Sequence, residues 1–373
     1  MEGVDFSSSN PVLMNVKEFA KEQMSTAAVP KSYICRDQEP DLGLSDCGIN
    51  TLAAVIPTID MEKLVFGEPT ECYLELQKLH SSCKDWGLFQ IVNHGVSSSL
   101  LNKLKQEIEE FFNLSMEEKT KYKVRPGDAE GYGTVIRSKD QKLDWGDRFY
   151  MLINPIQRRK PHLFPKLPSS LRNTLESYFS ELQELAMTLV GLMGKSLNID
   201  KREMEELFVD GMQSMRMTCY PPCPQPELVV GLTPHSDASG ITILHQVNGV
   251  EGLQIKKDGV WMPVNFLPDA LVVNVGDIIE ILSNGAYKSI EHRVTVNAEK
   301  ERISIAMFFN PKFEAEIGPF KSLLNTNSPP LFGRIGMEEY VKGFFSRYLN
   351  GKSNVEKMKT KIEEGNVNSA TTA

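Results

Sequence analysis

Apolar positions recur at three-and-four spacing through the first half of the chain, then switch from Met215 onward to short β-rich runs. Leu76, Leu79, Cys83 and Trp86 share one helical face, and the apolar run 87–92 that follows predicts a buried strand closed by Asn93-His94-Gly95. A second amphipathic helix is traced by Leu101, Leu104, Ile108 and Phe111, and Ser115-Met116-Glu117-Glu118 predicts a capping box that opens a third. The longest stripe runs through Leu171, Leu175, Tyr178, Leu182, Leu185, Leu189 and Leu192, a helix packed along a sheet. Ahead of all this, a short helical stretch over 16–23 precedes a Pro-, Asp- and Gly-rich segment and a strand-like run at 54–59.

The second half reads differently. Strands are predicted at 215–220, Ile241–Gln246, 253–256, 261–265, Leu271–Val275, 293–296 and Arg302–Phe309, separated by turn signals such as Asp258-Gly259 and Asn284-Gly285. Many short strands at this spacing argue for a sandwich or jelly roll. The fold class expected is therefore α+β: a double-stranded β-helix (jelly-roll) core with a helical N-terminal region and flanking helices. Its expected divisions are an arm at 1–50, a helical region at 51–210, the core at 211–312, and a C-terminal helical segment and tail at 313–373.

Composition narrows the class further. Among 373 residues, 41 Lys and Arg against 49 Asp and Glu give a net charge of −8, a poor match for nucleic acid or anionic lipid. No apolar run approaches the roughly 18 residues of a membrane span. The N-terminal MEGVDFSSSNPVLMNV has neither the basic nor the apolar region of a secretory signal. Cys35, Cys47, Cys72, Cys83, Cys219 and Cys223 form no C-x-x-C pair, so six free thiols in a reducing compartment are expected. The expectation is a cytoplasmic protein with no nucleic-acid or membrane partner. Walker A, G-x-G-x-x-G, G-x-S-x-G and H-E-x-x-H signatures are all missing from the sequence.

Candidate chemistry lies in the β half. His235-Ser236-Asp237 and the later His292 supply two imidazoles and a carboxylate, the set that holds non-haem Fe(II) with open positions. His235 and Asp237, two apart on an extended chain, project to the same side. Further on, Arg302 and Ser304 share one face of an apolar strand while Ile303 faces away. An Arg fork beside a hydroxyl in an apolar barrel is a receptor for a carboxylate. The competing readings are separate: His235 and His292 as hydrogen-bonded or surface residues in loops, and Arg302 as a strand-end residue paired with Glu280, Glu291 or Glu301.

The ordered set His235-x-Asp237, His292 and Arg302-x-Ser304 resembles the plant Fe(II)/2-oxoglutarate-dependent dioxygenases. Trp86-Gly87-Leu88-Phe89-Gln90-Ile91-Val92-Asn93-His94-Gly95-Val96 resembles that family's N-terminal signature. Tyr220-Pro221-Pro222-Cys223-Pro224-Gln225-Pro226, Gly252-Leu253-Gln254 and Asn274-Val275-Gly276-Asp277 follow in the family's order, over roughly residues 50–350. The nearest branch is the senescence-related-gene type, with alkaloid O-demethylases and norcoclaurine-synthase-like proteins.

The resemblance implies that His235, Asp237 and His292 bind Fe(II). It implies that Arg302, Ser304 and Tyr220 hold the distal carboxylate of 2-oxoglutarate, with ascorbate as reductant. It further implies a monomer that, with O2, hydroxylates or O-demethylates a small plant metabolite such as an alkaloid or phenolic, releasing succinate and CO2. A non-oxidative condensation on the same fold is the alternative. Thr218 stands where the family often has Asn, which removes the amide's reach toward the metal-bound end of the co-substrate. Phe308 matches a position that stacks on aromatic substrates in relatives, and reads equally well as an ordinary core Phe.

Overall fold

The apolar stripe predicted along a sheet lies on one continuous 28-residue helix, Ser169–Ser196, and its Leu175, Leu182 and Leu189 are fully buried. A computed structural model describes residues 10–12, 15–23, 28–35, 55–136, 141–346 and 349–360. Cys47 and Ala54 lie outside the described residues.

In chain order, the elements that matter here begin with α1 (Val16–Gln23), β1 (Thr58–Asp60), α2 (Pro69–Ser81), β2 (Leu88–Val92) and α3 (Ser98–Asn113). Next come β3 (Gly131–Tyr132), β4 (Asp147–Asn154) and the long helix α4 (Ser169–Ser196). The β half follows as β5 (Gln213–Tyr220), β6 (Leu232–His235), β7 (Ile241–Gln246), β8 (Leu253–Lys257), β9 (Val260–Pro263) and β10 (Leu271–Val275). It closes with α5 (Asp277–Leu282), β11 (His292–Val294), β12 (Arg302–Phe309) and α6 (Met337–Phe345).

Local chemistry sets several of these boundaries. The Ser97 side chain accepts from Leu100 N and caps α3, whose Leu101, Leu104, Ile108 and Phe111 are buried. Ser115 caps the short helix Met116–Thr120 by accepting from Glu118 N. The Glu118 carboxylate turns instead to Lys121, so the reciprocal half of the expected capping box is not made. Asp258 and Gly259, at φ 52° and 81°, form the tight turn that joins β8 to β9. The expected strand at 54–59 is confined to β1, its last part.

Two of the strands that frame the interior were not foreseen. β4 alternates buried and half-buried residues along its length and pairs with β5, although it lies within the otherwise helical half. β6 was also missed because its Thr-Pro-His sequence carries no apolar alternation. The strands form an eight-stranded sheet in the order β1-β2-β10-β7-β12-β5-β4-β3, and a four-stranded sheet in the order β9-β8-β11-β6.

Strand alternation sorts side chains between the two faces of the large sheet. Met215, Met217, Ile303, Ile305 and Met307 join the core that includes α4's Leu182 and Leu189. On the opposite face, Tyr220, Leu88 and Val272 meet Leu232, Leu253, Ile255 and Val294 of the small sheet. The interior between the sheets is the jelly-roll cavity, and β5 and β12 send Arg216, Thr218, Tyr220, Arg302 and Ser304 into it.

The N-terminal helix is fastened to this barrel from outside. Asp147, at the start of β4, accepts from Val16 N at 2.7 Å and Lys17 N at 3.3 Å. Val16, Ala20 and Tyr33 pack with Trp145 and Cys223. All five described cysteines are free.

Candidate functional site

β6 and β11 run antiparallel, with His235 directly opposite His292. Two residues past the end of β6, Asp237 turns back toward both. Asp237 Oδ1 lies 3.4 Å from His235 Nε2 and 3.8 Å from His292 Nε2. One ligand-capable atom from each of the three lies within 4.8 Å of the others, and all three residues are buried.

Each side chain is fixed by its other polar atom. His235 Nδ1 sits 2.8 Å from Thr233 O and His292 Nδ1 sits 3.1 Å from Ile290 O. A carbonyl can only accept, so both protons sit on Nδ1 and both Nε2 lone pairs face the centre. Asp237 Oδ2 accepts from Thr242 Oγ1 at 2.7 Å and Asn274 Nδ2 at 2.8 Å. Thr242 and Asn274 are themselves cross-strand partners on β7 and β10. That leaves Oδ1 for the centre.

Electrostatics follow from this packing. Burial alone pushes the Asp237 carboxyl up, but His292, His235 and the Thr242 hydroxyl together outweigh it and hold it well below the usual carboxylate range. Burial, and then the neighbouring His235, pull His292 down to about 4. The result is an ionised carboxylate and neutral His292, the states a divalent cation requires. His235 Nε2 is buried with no hydrogen-bond partner. A buried acceptor left bare is costly, and a metal ion is the group that fits it.

A narrow slot runs from this centre to Arg302 and is lined by Thr218, Tyr220, Asn274 and Ser304. Arg302 is 2% exposed; its Nη1 donates to Ser304 Oγ at 3.2 Å, while Nε and Nη2 have no partner. Its guanidinium lies 5.2 Å from the Tyr220 ring, its register partner on β5. Gly252, at φ 156°, lets the chain lie against the Arg302 stem, where an added Cβ would come within 3.0 Å of Cδ.

None of the three glutamates offered as alternative partners pairs with Arg302. Lys17 takes Glu301 at 2.9 Å, and Lys352 takes Glu280 at 2.7 Å. Glu291 lines the wide cavity instead. An unpaired buried guanidinium with two free donors fits a carboxylate, as 2-oxoglutarate would present.

A second, wider cavity of about 790 Å³ also reaches the metal centre, through His235 and Asp237. Its walls come from distant parts of the chain, including Cys35 of the N-terminal segment, Tyr150 of β4, Trp261, and Phe344 and Phe345 of α6. The 349–352 segment laces onto β6: Gly351 N donates to Pro234 O at 3.0 Å and Ser236 N donates to Gly351 O at 3.2 Å. Phe308 borders both cavities.

All seven residues singled out from sequence thus converge on one interior. Thr242, Asn274 and Arg216 were given no role there. Asn274 lay inside a motif block, but nothing in its spacing announced that it would meet Thr242 and Asp237.

Comparison with known proteins agrees with this geometry. Residues 211–311 match the model of the 2OG-Fe(II) oxygenase superfamily, and residues 56–167 match the non-haem dioxygenase in morphine synthesis N-terminal model. Codeine O-demethylase of Papaver somniferum is 50% identical, covering 92% of this chain and 95% of that protein. The chain belongs to the 2OG-Fe(II) oxygenase superfamily. Oxoglutarate-dependent flavonoid 7-O-demethylase 1 of Ocimum basilicum is 48% identical to this oxygenase, with 92% and 90% of the two chains covered. A crystal structure of JOX2 in complex with 2OG, Fe and JA superposes with a TM-score of 0.82 at 33% identity, covering 94% of the oxygenase and 99% of that chain. The oxygenase depends on Fe(II) and 2-oxoglutarate, and it has the jelly-roll fold. None of its described helices is long and apolar enough to cross a membrane.

Proposed function

We propose that this enzyme removes O-methyl groups from a ring-bearing plant specialised metabolite. The metal would be held by His235, Asp237 and His292, and the distal carboxylate of 2-oxoglutarate by Arg302, Ser304 and Tyr220. The observation that carries the reading is a pair of unmet needs joined by one slot: the bare Nε2 of His235 in the centre whose Asp237 and His292 line the slot, and the free Nε and Nη2 of Arg302 further along it. A short dicarboxylate bridging metal and guanidinium satisfies both. Similarity to demethylases of codeine and of a flavonoid supports the choice of an O-methyl carbon.

When bound, iron with 2-oxoglutarate and O2 supplies the oxidant that removes a hydrogen atom from a substrate carbon. The chain's own contribution is orientation and exclusion of water. Thr242 and Asn274 aim Asp237, and the Thr233 and Ile290 carbonyls hold the histidine tautomers. Phe308, between the slot and the wide cavity, would stack on the substrate ring.

One oxygen atom of O2 enters succinate and the other enters the methyl group. The resulting hemiacetal releases formaldehyde and leaves a hydroxyl, with CO2 lost from the co-substrate. The reading includes ascorbate as reductant, a monomeric protein and a cytoplasmic setting. The test is product stoichiometry with methoxylated aromatic substrates. Formaldehyde and succinate formed in equal amounts support demethylation; succinate matched by a hydroxylated product without formaldehyde would replace it with hydroxylation. Product formed without O2 and 2-oxoglutarate would favour the condensation reading.

A further inference from the structure

We infer that Arg216 is the specificity-determining residue of the wide cavity, and that it selects an aromatic substrate carrying an oxyanion, a carboxylate or a phenolate, over a protonated amine. This rests on the functional reading above and narrows its substrate class.

Arg216 sits mid-strand on β5, on the interior parity with Ser214, Thr218 and Tyr220. It borders both the slot and the wide cavity, so it stands where a substrate would meet the metal end. Across the ladder it faces Ala306, whose small side chain leaves the space above the strand open. Its charge reaches His292, Arg302 and Tyr150, which places it amid the working residues.

What sets it apart is its lack of a partner. Arg159 is paired with Glu176, Arg334 with Glu316, and Arg302 donates to Ser304. Among the described residues the Arg216 side chain has no hydrogen bond or ion pair, and its guanidinium carbon lies 5.6 Å from the Phe308 ring. A cation over an aromatic face, both turned into a cavity, presents one surface for a ring and one fork for an oxyanion.

The acids lining the cavity do not cancel it. Asp144 is spent on Thr233, accepting from both its backbone N at 2.9 Å and its hydroxyl at 2.6 Å. Asp237 belongs to the metal centre. Glu291 remains as the third acid of the lining and makes no ion pair with Arg216. An oxyanion entering this cavity meets a guanidinium with no acidic partner among the described residues, and a protonated amine meets it as a like charge.

The test is equilibrium binding by calorimetry, done anaerobically on the Fe(II)- and 2-oxoglutarate-loaded protein, with its charge-transfer band as the check that the site is loaded. Ferulate against its methyl ester probes the carboxylate, a hydroxy-methoxyflavone against its fully methylated form probes the phenol, and codeine probes the amine. In at least one pair the oxyanion-bearing member should bind about 10-fold or more tightly, and the responding pair identifies the group.

The preference should vanish in Arg216→Leu and persist in part in Arg216→Lys. Equal binding within both pairs, a preference that survives Arg216→Leu, or tighter binding of codeine than of either oxyanion would overturn the inference. The wild-type comparisons stand even if the Leu variant does not fold. Loss of the charge-transfer band in wild-type protein would instead overturn the underlying reading.

Discussion

The metal end and the wide cavity are built on opposite plans. At the metal end the outer polar atom of each candidate ligand has a protein partner: Thr233 O, Ile290 O, and the Thr242–Asn274 pair on Asp237. The atom left bare, His235 Nε2, faces the centre. The wide cavity is assembled from segments remote in sequence, among them residue 35, β4, β5, α6 and the stretch near Gly351. Its central cation, Arg216, lacks a partner. The difference teaches where change is tolerated. Chemistry is fixed by short hydrogen bonds between neighbouring strands, while substrate choice lies in walls that can vary without touching them.

The sharpest way to break this contrast is at Asp237. Asp237→Ala should leave no measurable turnover, because the carboxylate oxygen facing both histidines is gone. Activity retained at the wild-type level, measured as succinate formation, would remove the three-residue metal centre from the account. Next in size is Arg302→Leu. It should raise the 2-oxoglutarate concentration needed for half-saturation by about 10²-fold and leave iron binding nearly unchanged. Equal loss of both in parallel titrations would contradict the separation of the slot into two ends.

Asn274→Leu sharpens the comparison by touching no ligand directly. Loss of its hydrogen bond to Asp237 should weaken iron binding by about 10-fold to 100-fold, read by competition with a chelator. A variant with wild-type iron affinity would mean that Thr242 alone suffices to aim the carboxylate.

The smallest expected effect concerns the N-terminal helix, outside both regions. Asp147 fastens the N-terminal helix, and burial raises its carboxyl from 3.8 to about 6 despite the two backbone donors. In that window the folded state holds more protons than the unfolded state, so this group's contribution to stability falls as pH rises from 3.8 toward about 6. The melting temperature of the wild type relative to Asp147→Asn should therefore drop by a few degrees across that interval. A difference independent of pH would show that Asp147 does not titrate there.

Much of the metal end was legible in the chain. His235-x-Asp237 and Arg302-x-Ser304 are two-residue spacings on extended backbone, and such spacings survive folding because strand geometry alone sets their direction. β7, β10 and β12 were legible for the same reason, being apolar runs bounded by turns. The partners of Asp237 were not. Thr242 and Asn274 reach it only because β7 and β10 pair in one register, a contact between residues distant in sequence that no local pattern encodes.

β4 was hidden for a related reason. Its Phe149, Met151 and Ile153 alternate correctly, but they sit among helices, and the strand acquires its identity only by pairing with β5. The Gly351 bridge to β6 was equally invisible, since neither segment carries an apolar repeat.

The account turns on one claim, that the bare atoms of His235 and Arg302 are waiting for iron and 2-oxoglutarate together. Anaerobic titration of the apoprotein with Fe(II) and then 2-oxoglutarate tests it directly, through the visible metal-to-ligand charge-transfer band of the chelate. The account predicts a saturable band in wild-type protein, its loss in His235→Ala, and its retention in Arg302→Leu at much higher co-substrate concentration. Folded wild-type protein that develops no band, or a band untouched by His235→Ala, would contradict it.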